Sequence, residues 1–443
     1  MGTKVSEAIA TLRQALPSAH LVSPEATEEY DILNGSYLSG FESDLYPACI
    51  FLHRSKEEVA TFVQTFQPFV DDVQFAVRSG GQQPLPGCAN VDGGITVELR
   101  DLRGIKVQDG GDVYEHLEPY RLGVTGGLSS TCGIDGLSTQ GLICDNGVNY
   151  EIVVGSGEII NENSQENSDL WITLRGGGNN FGIITRFDFR TFEQGPMYAG
   201  MVWYFKPSFT GQIKALVKEL TSSTPCAEAH YMLSIAFSQA FGNGDDVVCL
   251  DQLCYTQPIA DPAILAPFVH VEPQRQELNT MKIQTLVQAA NEQAGAAQSN
   301  IRCLYMNINV KANADTLITG GDIWCEELQL VKDVAALMWS YTLQVYPESL
   351  INIIRARGGN VLGLGTGGGT VINVLLLSDR IEENAATRGQ LVPWIFWCYT
   401  FSHQKALESY GEQNVRKLRE ASKKYDPEGL FQKGCPGGYK LFK

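Results

Sequence analysis

The chain has 443 residues, 44% hydrophobic and 19% charged, which is the balance of a folded globular protein. That length exceeds one ordinary hydrophobic core and predicts two domains. A formal net charge of -17 argues against nucleic acid and against anionic membrane as partners, since basic patches hold both. The six histidines are scattered and the eleven cysteines show no CxxC pairs. Neither a metal site nor a disulfide framework is read from them, and the thiols fit buried packing. No run reaches the ~18 apolar residues that span a bilayer. Met1 to His20 lacks a continuous apolar stretch of the leader-peptide kind, which points to the cytoplasm.

The chain opens on an amphipathic helical pattern through Val5, Ile9, Leu12 and Leu16. Ala48 to Leu52 reads as a short strand. Ser55 and Glu58 form a capping box for a helix with Val59, Phe62, Val63 and Phe66 on one face. Phe75 to Val77 is a strand running into Gly80-Gly81, and strands and turns alternate to Leu99. Asp112 to Leu117 predicts a helical turn. A strand from Asn146 to Val154 ends at Gly155-Ser156-Gly157, and Ser168 caps a short helix bearing Leu170, Trp171 and Leu174.

Beyond Phe192 alternating runs recur, at Ala199 to Phe205, Tyr231 to Phe237, Ile301 to Val310, Val371 to Leu377 and Trp394 to Phe401. Helical segments are predicted near Gly211 to Leu220 and Val331 to Tyr346. This texture predicts a sheet with helices on one face. The glycine-rich stretch from Gly358 to Gly369 precedes a strand rather than opening a helix, so it reads as a mobile hairpin or pocket rim. A last helix, Gly411 to Lys424, turns Val415, Leu418 and Ala421 inward and stops at Asp426-Pro427.

Three segments carry the functional signal: Ala76 to Gln83, Ala89 to Leu99, and Leu174 to Thr185. In each, glycines adjoin an apolar strand where backbone can approach a ligand closely. Together with Ser409 to Phe431 they resemble the fungal type of the berberine-bridge-enzyme-like FAD-linked oxidoreductases, on the p-cresol methylhydroxylase (PCMH) or vanillyl-alcohol oxidase fold. The resemblance covers nearly the whole chain. It implies an α+β fold of two domains. Residues 1–195, completed by 405–443, would form a PCMH-type FAD-binding domain. Residues 196–404 would form a substrate domain built on an antiparallel sheet covered by helices. The family's flavin contacts map onto Arg78, Ser79, Gly80, Gly81, Gln82, Ser129, Gly133, Gly136, Asn146, Gly178, Gly182 and Ile184.

The chain departs from the family's pattern in that region. The family usually places at Gln82 a histidine bonded covalently to the isoalloxazine ring. Ser129 stands where bicovalent members attach flavin through a cysteine, and Cys132 reads as packing rather than as a second anchor. Asp135 replaces a glycine in the loop that passes the pyrophosphate. Gln140-Gly141 stands where a glycine triplet is usual, and the connecting loop to Cys144-Asp145-Asn146 is shortened. A carboxylate within ~5 Å of a diphosphate costs on the order of 1–4 kcal/mol, up to roughly a thousandfold in affinity, unless Asp135 turns to solvent.

These departures lead to a first expectation of no bound cofactor, with noncovalent FAD as the alternative. Under the first, the scaffold catalyses non-redox cyclisation (pericyclase-like) or isomerisation of a small apolar metabolite, by holding a flexible substrate in a reactive pose. Under the alternative it is a noncovalent FAD oxidase of a small metabolite. A carrier that binds without turnover is the third reading. Tyr399, Gln82 and His230 are the candidate catalytic groups, as donors that polarise a carbonyl or relay a proton. Trp397 and Phe401 share a face with Tyr399 by strand alternation. With Tyr231, Asn307 and Asn309 they are read as the substrate pocket.

Overall fold

A computed structural model describes the chain apart from residues 1, 110–111, 115–120, 127–136, 139, 239–246, 297–299, 303, 365–368, 377–378 and 443. In the first sheet the strands lie in the order His20–Val22, Cys49–Leu52, Ile95–Glu98, Phe75–Arg78, and the last three are parallel. Parallel strands are covered on both faces, and Cys49–Leu52 and Ile95–Glu98 are buried at every position. The helix Lys56–Phe66 supplies one cover. Ser55 Oγ accepts from the Glu58 N–H at 3.3 Å, while the Glu58 carboxylate accepts from the Arg54 N–H at 2.8 Å. The box thus closes one residue earlier than predicted. Val59, Phe62, Val63 and Phe66 are buried as expected. Phe62 and Phe66 meet Phe75 at 5.5 and 5.0 Å between ring centroids, and each such ring stabilises by about 1.5–3 kcal/mol.

The C-terminal helix, Glu412–Tyr425, returns the chain to this layer. Asp426 ends it, and its carboxylate accepts from the Leu430 and Phe431 N–H groups at 2.8 Å each. Phe431 then packs on Phe75 at 6.0 Å. A second sheet pairs Gly147–Val154 with Ile159–Asn163 and Gly182–Phe189, all antiparallel. The predicted turn at Gly155-Ser156-Gly157 is present, with Gly157 at φ +81°. Ser168 is the first residue of the helix Ser168–Leu174, and Asn167 occupies the cap position. Asp112–Tyr114, expected as a helical turn, instead pairs antiparallel with Val107–Asp109.

An eight-stranded antiparallel sheet makes up the rest. Its order is Lys282–Gln284, Met197–Phe205, Val247–Tyr255, Ala229–Ser238, Met338–Tyr346, Val371–Leu376, Met306–Lys311 and Leu391–Val392. Alternation gives it two unlike faces. Tyr204, Leu233, Ile235, Phe237, Tyr341 and Leu343 pack under the helices Phe209–Leu220 and Ala314–Val331. The opposite face is polar and carries Ser234, Thr342, Gln344, Asn373, Asn307 and Asn309.

Three predicted elements are corrected here. Val331 to Tyr346 is not a helix: the helix ends at Val331 and Met338–Tyr346 is a strand. Its Trp339, Tyr341, Leu343 and Val345 recur with period two, and Gly320 of the helix makes room for the Tyr341 ring, since a Cβ there would lie 2.6 Å from its oxygen. Trp394 to Phe401 is not a strand either, but holds a 3₁₀ turn at Trp397–Tyr399. In the Ile301 to Val310 run, the strand begins only at Met306. In the glycine-rich stretch, Val361, Leu362 and Leu364 are buried, and residues 365–368 lie outside the described residues.

Candidate active site

The strand Phe75–Arg78 delivers the chain to Ser79-Gly80-Gly81. Gly81 has φ +66°, a conformation L side chains rarely adopt. Ser79 is exposed, and Gly80 and Gln82 are half-buried. Gln83 Nε2 is buried with no partner among the described residues. Glu42 holds the following loop, accepting from the Gly87 and Ala89 N–H groups at 3.0 and 2.9 Å. Burial pushes its carboxyl up to about 7. No motif marked Glu42, because its partners are main-chain groups more than forty residues away.

Arg78, read as a cofactor contact, is fully committed to the protein. Its guanidinium donates to the Leu33 and Ser36 carbonyls at 2.7 Å each. It also stacks 3.6 Å over the Tyr37 ring and faces Glu98 at 3.5 Å. It fixes the 33–37 loop, whose neighbour Leu38 donates to the Gly81 carbonyl at 3.0 Å. Asn146 is likewise engaged, donating to the Leu142 carbonyl at 2.9 Å and accepting from Arg357 at 2.6 Å. Gly182 and Ile184 pair with Val154 and Ile152 on the edge strand Gly182–Phe189. Ser129, Cys132, Gly133, Asp135 and Gly136 lie outside the described residues.

Gly178 sits at φ +62° directly beneath Trp397: a Cβ there would stand 2.7 Å from the indole. Trp397 in turn meets Tyr439 of the C-terminal segment at 4.9 Å. In the same turn, Tyr399 accepts a hydrogen bond from Gln344 Nε2 at 3.2 Å and meets Phe396 and Tyr305 edge-on at 5.1 and 5.7 Å. The Tyr305 segment is tied to the first loop. Leu38, which donates to Gly81, also accepts from Ile301 at 3.1 Å, and Gly40 donates to Ile301 at 2.7 Å. Hydrogen bonds thus join Gly81 to Leu38 and Leu38 to Ile301, and Tyr305, four residues further along the chain, meets Tyr399.

Asn307 and Asn309, expected in the pocket, are wholly buried and hold main chain instead. Asn307 Nδ2 donates to the Phe396 and Tyr399 carbonyls at 2.9 Å each, and Asn309 donates to the Trp394 carbonyl. Asn373 Nδ2 links the two, donating to their Oδ1 atoms at 2.8 and 3.1 Å. This amide ladder overrides the strand propensity of the aromatic run. It also separates Trp397, Tyr399 and Phe401, which do not share one strand face. Phe401 packs toward the helix-covered core.

Tyr231 faces that core too, its ring 4.9 Å from Phe268, on the side of the sheet away from Gln344. His230 lines a crevice of about 40 Å³ with Glu219, Cys226 and Leu350. Burial pulls its imidazole down to about 4, so it is neutral near pH 7. The residues that sequence reasoning missed are Gln344, Asn373, Tyr346 and Trp394, grouped by strand register and ring contact. Only the correct placement of the 338–346 strand would have found them.

No family model matches the chain. It is 28% identical over 469 residues to FAD-dependent monooxygenase tpcD of Cochliobolus heterostrophus, covering 93% of this chain and 89% of that protein. It is 28% identical over 476 residues to the bifunctional solanapyrone synthase of Alternaria solani, covering 95% and 86%. Among solved structures it is similar to xylooligosaccharide oxidase from Myceliophthora thermophila. That match has a TM-score of 0.71 at 18% identity over 96% of this chain and 97% of the other. Among the described residues, no helix is long and apolar enough to cross a membrane.

Proposed function

We propose that this chain, which has the fold of the berberine-bridge-enzyme-like FAD-linked oxidoreductases, is a flavin-dependent oxidoreductase of a small secondary metabolite. In this reading it holds FAD without a covalent bond. The first expectation, a flavin-free cyclase, gives way because relatives aligned over more than four-fifths of both chains are named for FAD dependence. The observation that supports the proposal is the tie between the glycine turn and the chain leading to Tyr399. Gly81 is bonded through Leu38 to Ile301, and Tyr305, four residues on, meets the ring of the phenol held by Gln344.

The described residues fit the flavin. The turn at Ser79–Gly81 presents main chain with no side chain at Gly80 or Gly81. The unpartnered Gln83 amide is a neutral donor beside it. The nearby Glu98 carboxylate is taken up by Arg100 at 2.8 Å and does not oppose an anion. Gln82 offers an amide where a covalent histidine would stand, so the cofactor would be dissociable. Residues 1–195 with 405–443 would hold it, and residues 196–404 would hold the substrate.

Bound FAD would supply a two-electron acceptor. The protein's part is to orient and to manage protons. Gln344 donates to the Tyr399 oxygen, which holds the phenol in one orientation, and a phenol so held is a proton donor suited to a substrate oxygen. Asn307 fixes the carbonyl of Tyr399 and so sets the height of the ring. Trp397, wedged on Gly178, would help exclude water.

A second reading is kept for one reason: Gln82 removes the tether, and the walls at Trp397, Phe396 and Tyr399 also suit cyclisation or isomerisation of an apolar chain. The absorbance spectrum of the purified protein separates the two. Visible flavin bands, released into solution on denaturation, support the oxidoreductase. Colourless protein that takes up no added FAD supports the second reading.

A further inference from the structure

Four polar atoms without a hydrogen-bond partner among the described residues lie on the polar sheet face or on Trp394, which packs against Tyr346 there. They are Gln344 Oε1, Asn373 Oδ1, Tyr346 Oη and Trp394 Nε1. Their residues are 4%, 0%, 0% and 3% exposed, so bulk water does not serve them. Gln344 and Asn373 are register partners on adjacent strands. Tyr346 is two residues beyond Gln344 and therefore on the same face. The Tyr346 ring meets Trp394 at 5.3 Å and Phe396 at 6.0 Å, and Phe396 meets Tyr399 at 5.1 Å. Gln344 closes the circuit onto the Tyr399 oxygen.

Each buried polar atom left unmade costs about 1–3 kcal/mol, and native structures hold few of them. Four in one contact circuit point to a ligand. Two of the atoms accept and two donate. Burial pushes the Tyr346 phenol well above its ordinary range, so it remains an O–H donor near neutral pH. None of the four side chains is ionised, which suits an uncharged ligand. The rings of Tyr346, Trp394, Phe396 and Tyr399 supply flat apolar flanks.

We propose that Gln344, Asn373, Tyr346 and Trp394 form a buried subsite for an uncharged compound bearing both a hydroxyl and a carbonyl. The two amide oxygens take the hydroxyl, and Tyr346 and Trp394 take the carbonyl, next to Tyr399. This rests on the reading of the polar sheet face as the substrate side, and it names the class of substrate held there.

The test is calorimetric titration of the purified protein with 4-hydroxyacetophenone, at a mildly acidic pH that keeps the phenol protonated. The comparison compounds are 4-methoxyacetophenone, which cannot donate, and 4-ethylphenol, which has no carbonyl. The subsite predicts that the hydroxyketone binds about tenfold or more tightly than either. Tyr346→Phe and Trp394→Phe should each reduce the advantage over 4-ethylphenol and leave the advantage over the methyl ether. Tyr346→Phe removes only an unpartnered buried hydroxyl, so its melting temperature should be no lower than that of the unaltered protein. Undetectable binding of the hydroxyketone, equal affinity for all three compounds, or unchanged discrimination in Tyr346→Phe overturns the proposal and leaves the four atoms to water. Flavin uptake is read separately by absorbance, so failure of the subsite and failure of the flavin reading are distinguishable.

Discussion

Gln344 and Tyr399 stand 55 positions apart in the chain and meet through an Nε2–H···Oη hydrogen bond of 3.2 Å. The bond depends on Asn307, which pins the Tyr399 carbonyl at 2.9 Å. The phenol is thus positioned twice, once at its tip and once at its backbone. A group held this way pays little ordering cost when a substrate arrives.

Tyr399→Phe keeps the ring and its edge-on contacts but removes the proton. Turnover should fall by about a hundredfold or more, with flavin content and melting temperature unchanged. Steady-state kinetics on absorbance-matched enzyme measures this. Undiminished turnover would remove the phenol from the chemistry.

Asn307→Leu deletes the clamp. It strands the Phe396 and Tyr399 carbonyls and one Asn373 donor in a fully buried place. The loss should be about 2–4 kcal/mol of stability, visible as a lower denaturant midpoint.

Gly178→Ala combines a left-handed backbone with a clash against the Trp397 indole. It should destabilise by roughly 1–3 kcal/mol. Pairing it with Trp397→Ala should recover the steric part, so the two changes will be non-additive in a double-mutant cycle.

Glu162 is wholly buried, and both its oxygens lack partners among the described residues. Burial pushes its carboxyl up to about 9, with Asp169 adding to the rise. The folded state therefore holds this proton more tightly than the unfolded chain. Its contribution is greatest below the unfolded carboxylate value near 4.3 and is lost as pH rises toward 9. Glu162→Gln should flatten that slope and raise the melting temperature at alkaline pH. An unchanged slope would show that the carboxyl finds a partner.

Much of the first layer was legible because its signals are local. Ser55 and the Val59-Phe62-Val63-Phe66 stripe announce a capped helix, and Gly155-Ser156-Gly157 announces a hairpin. The fold followed from glycine-strand junctions read as a set. The site was less legible, since its geometry comes from pairings remote in sequence. Arg78 sits in a motif that suggests a ligand, yet its partners are carbonyls at Leu33 and Ser36. Tyr231 and His230 are neighbours on one strand, and parity alone cannot say which of them faces the helices. The aromatic run from Trp394 has strand propensity, but the Asn307, Asn309 and Asn373 amides capture or brace its main chain. Trp339 and Tyr341 belong to the strand Met338–Tyr346, and the helix before it, Ala314–Val331, carries two glycines that weaken its sequence signal.

The most direct measurement is the visible absorbance of the purified protein titrated with FAD, followed by denaturation and filtration. The account predicts saturable uptake with oxidised-flavin bands, and complete passage of the flavin through the filter afterwards, because Gln82 forms no bond to it. Protein that stays colourless in excess FAD, or flavin retained on the denatured chain, would contradict it.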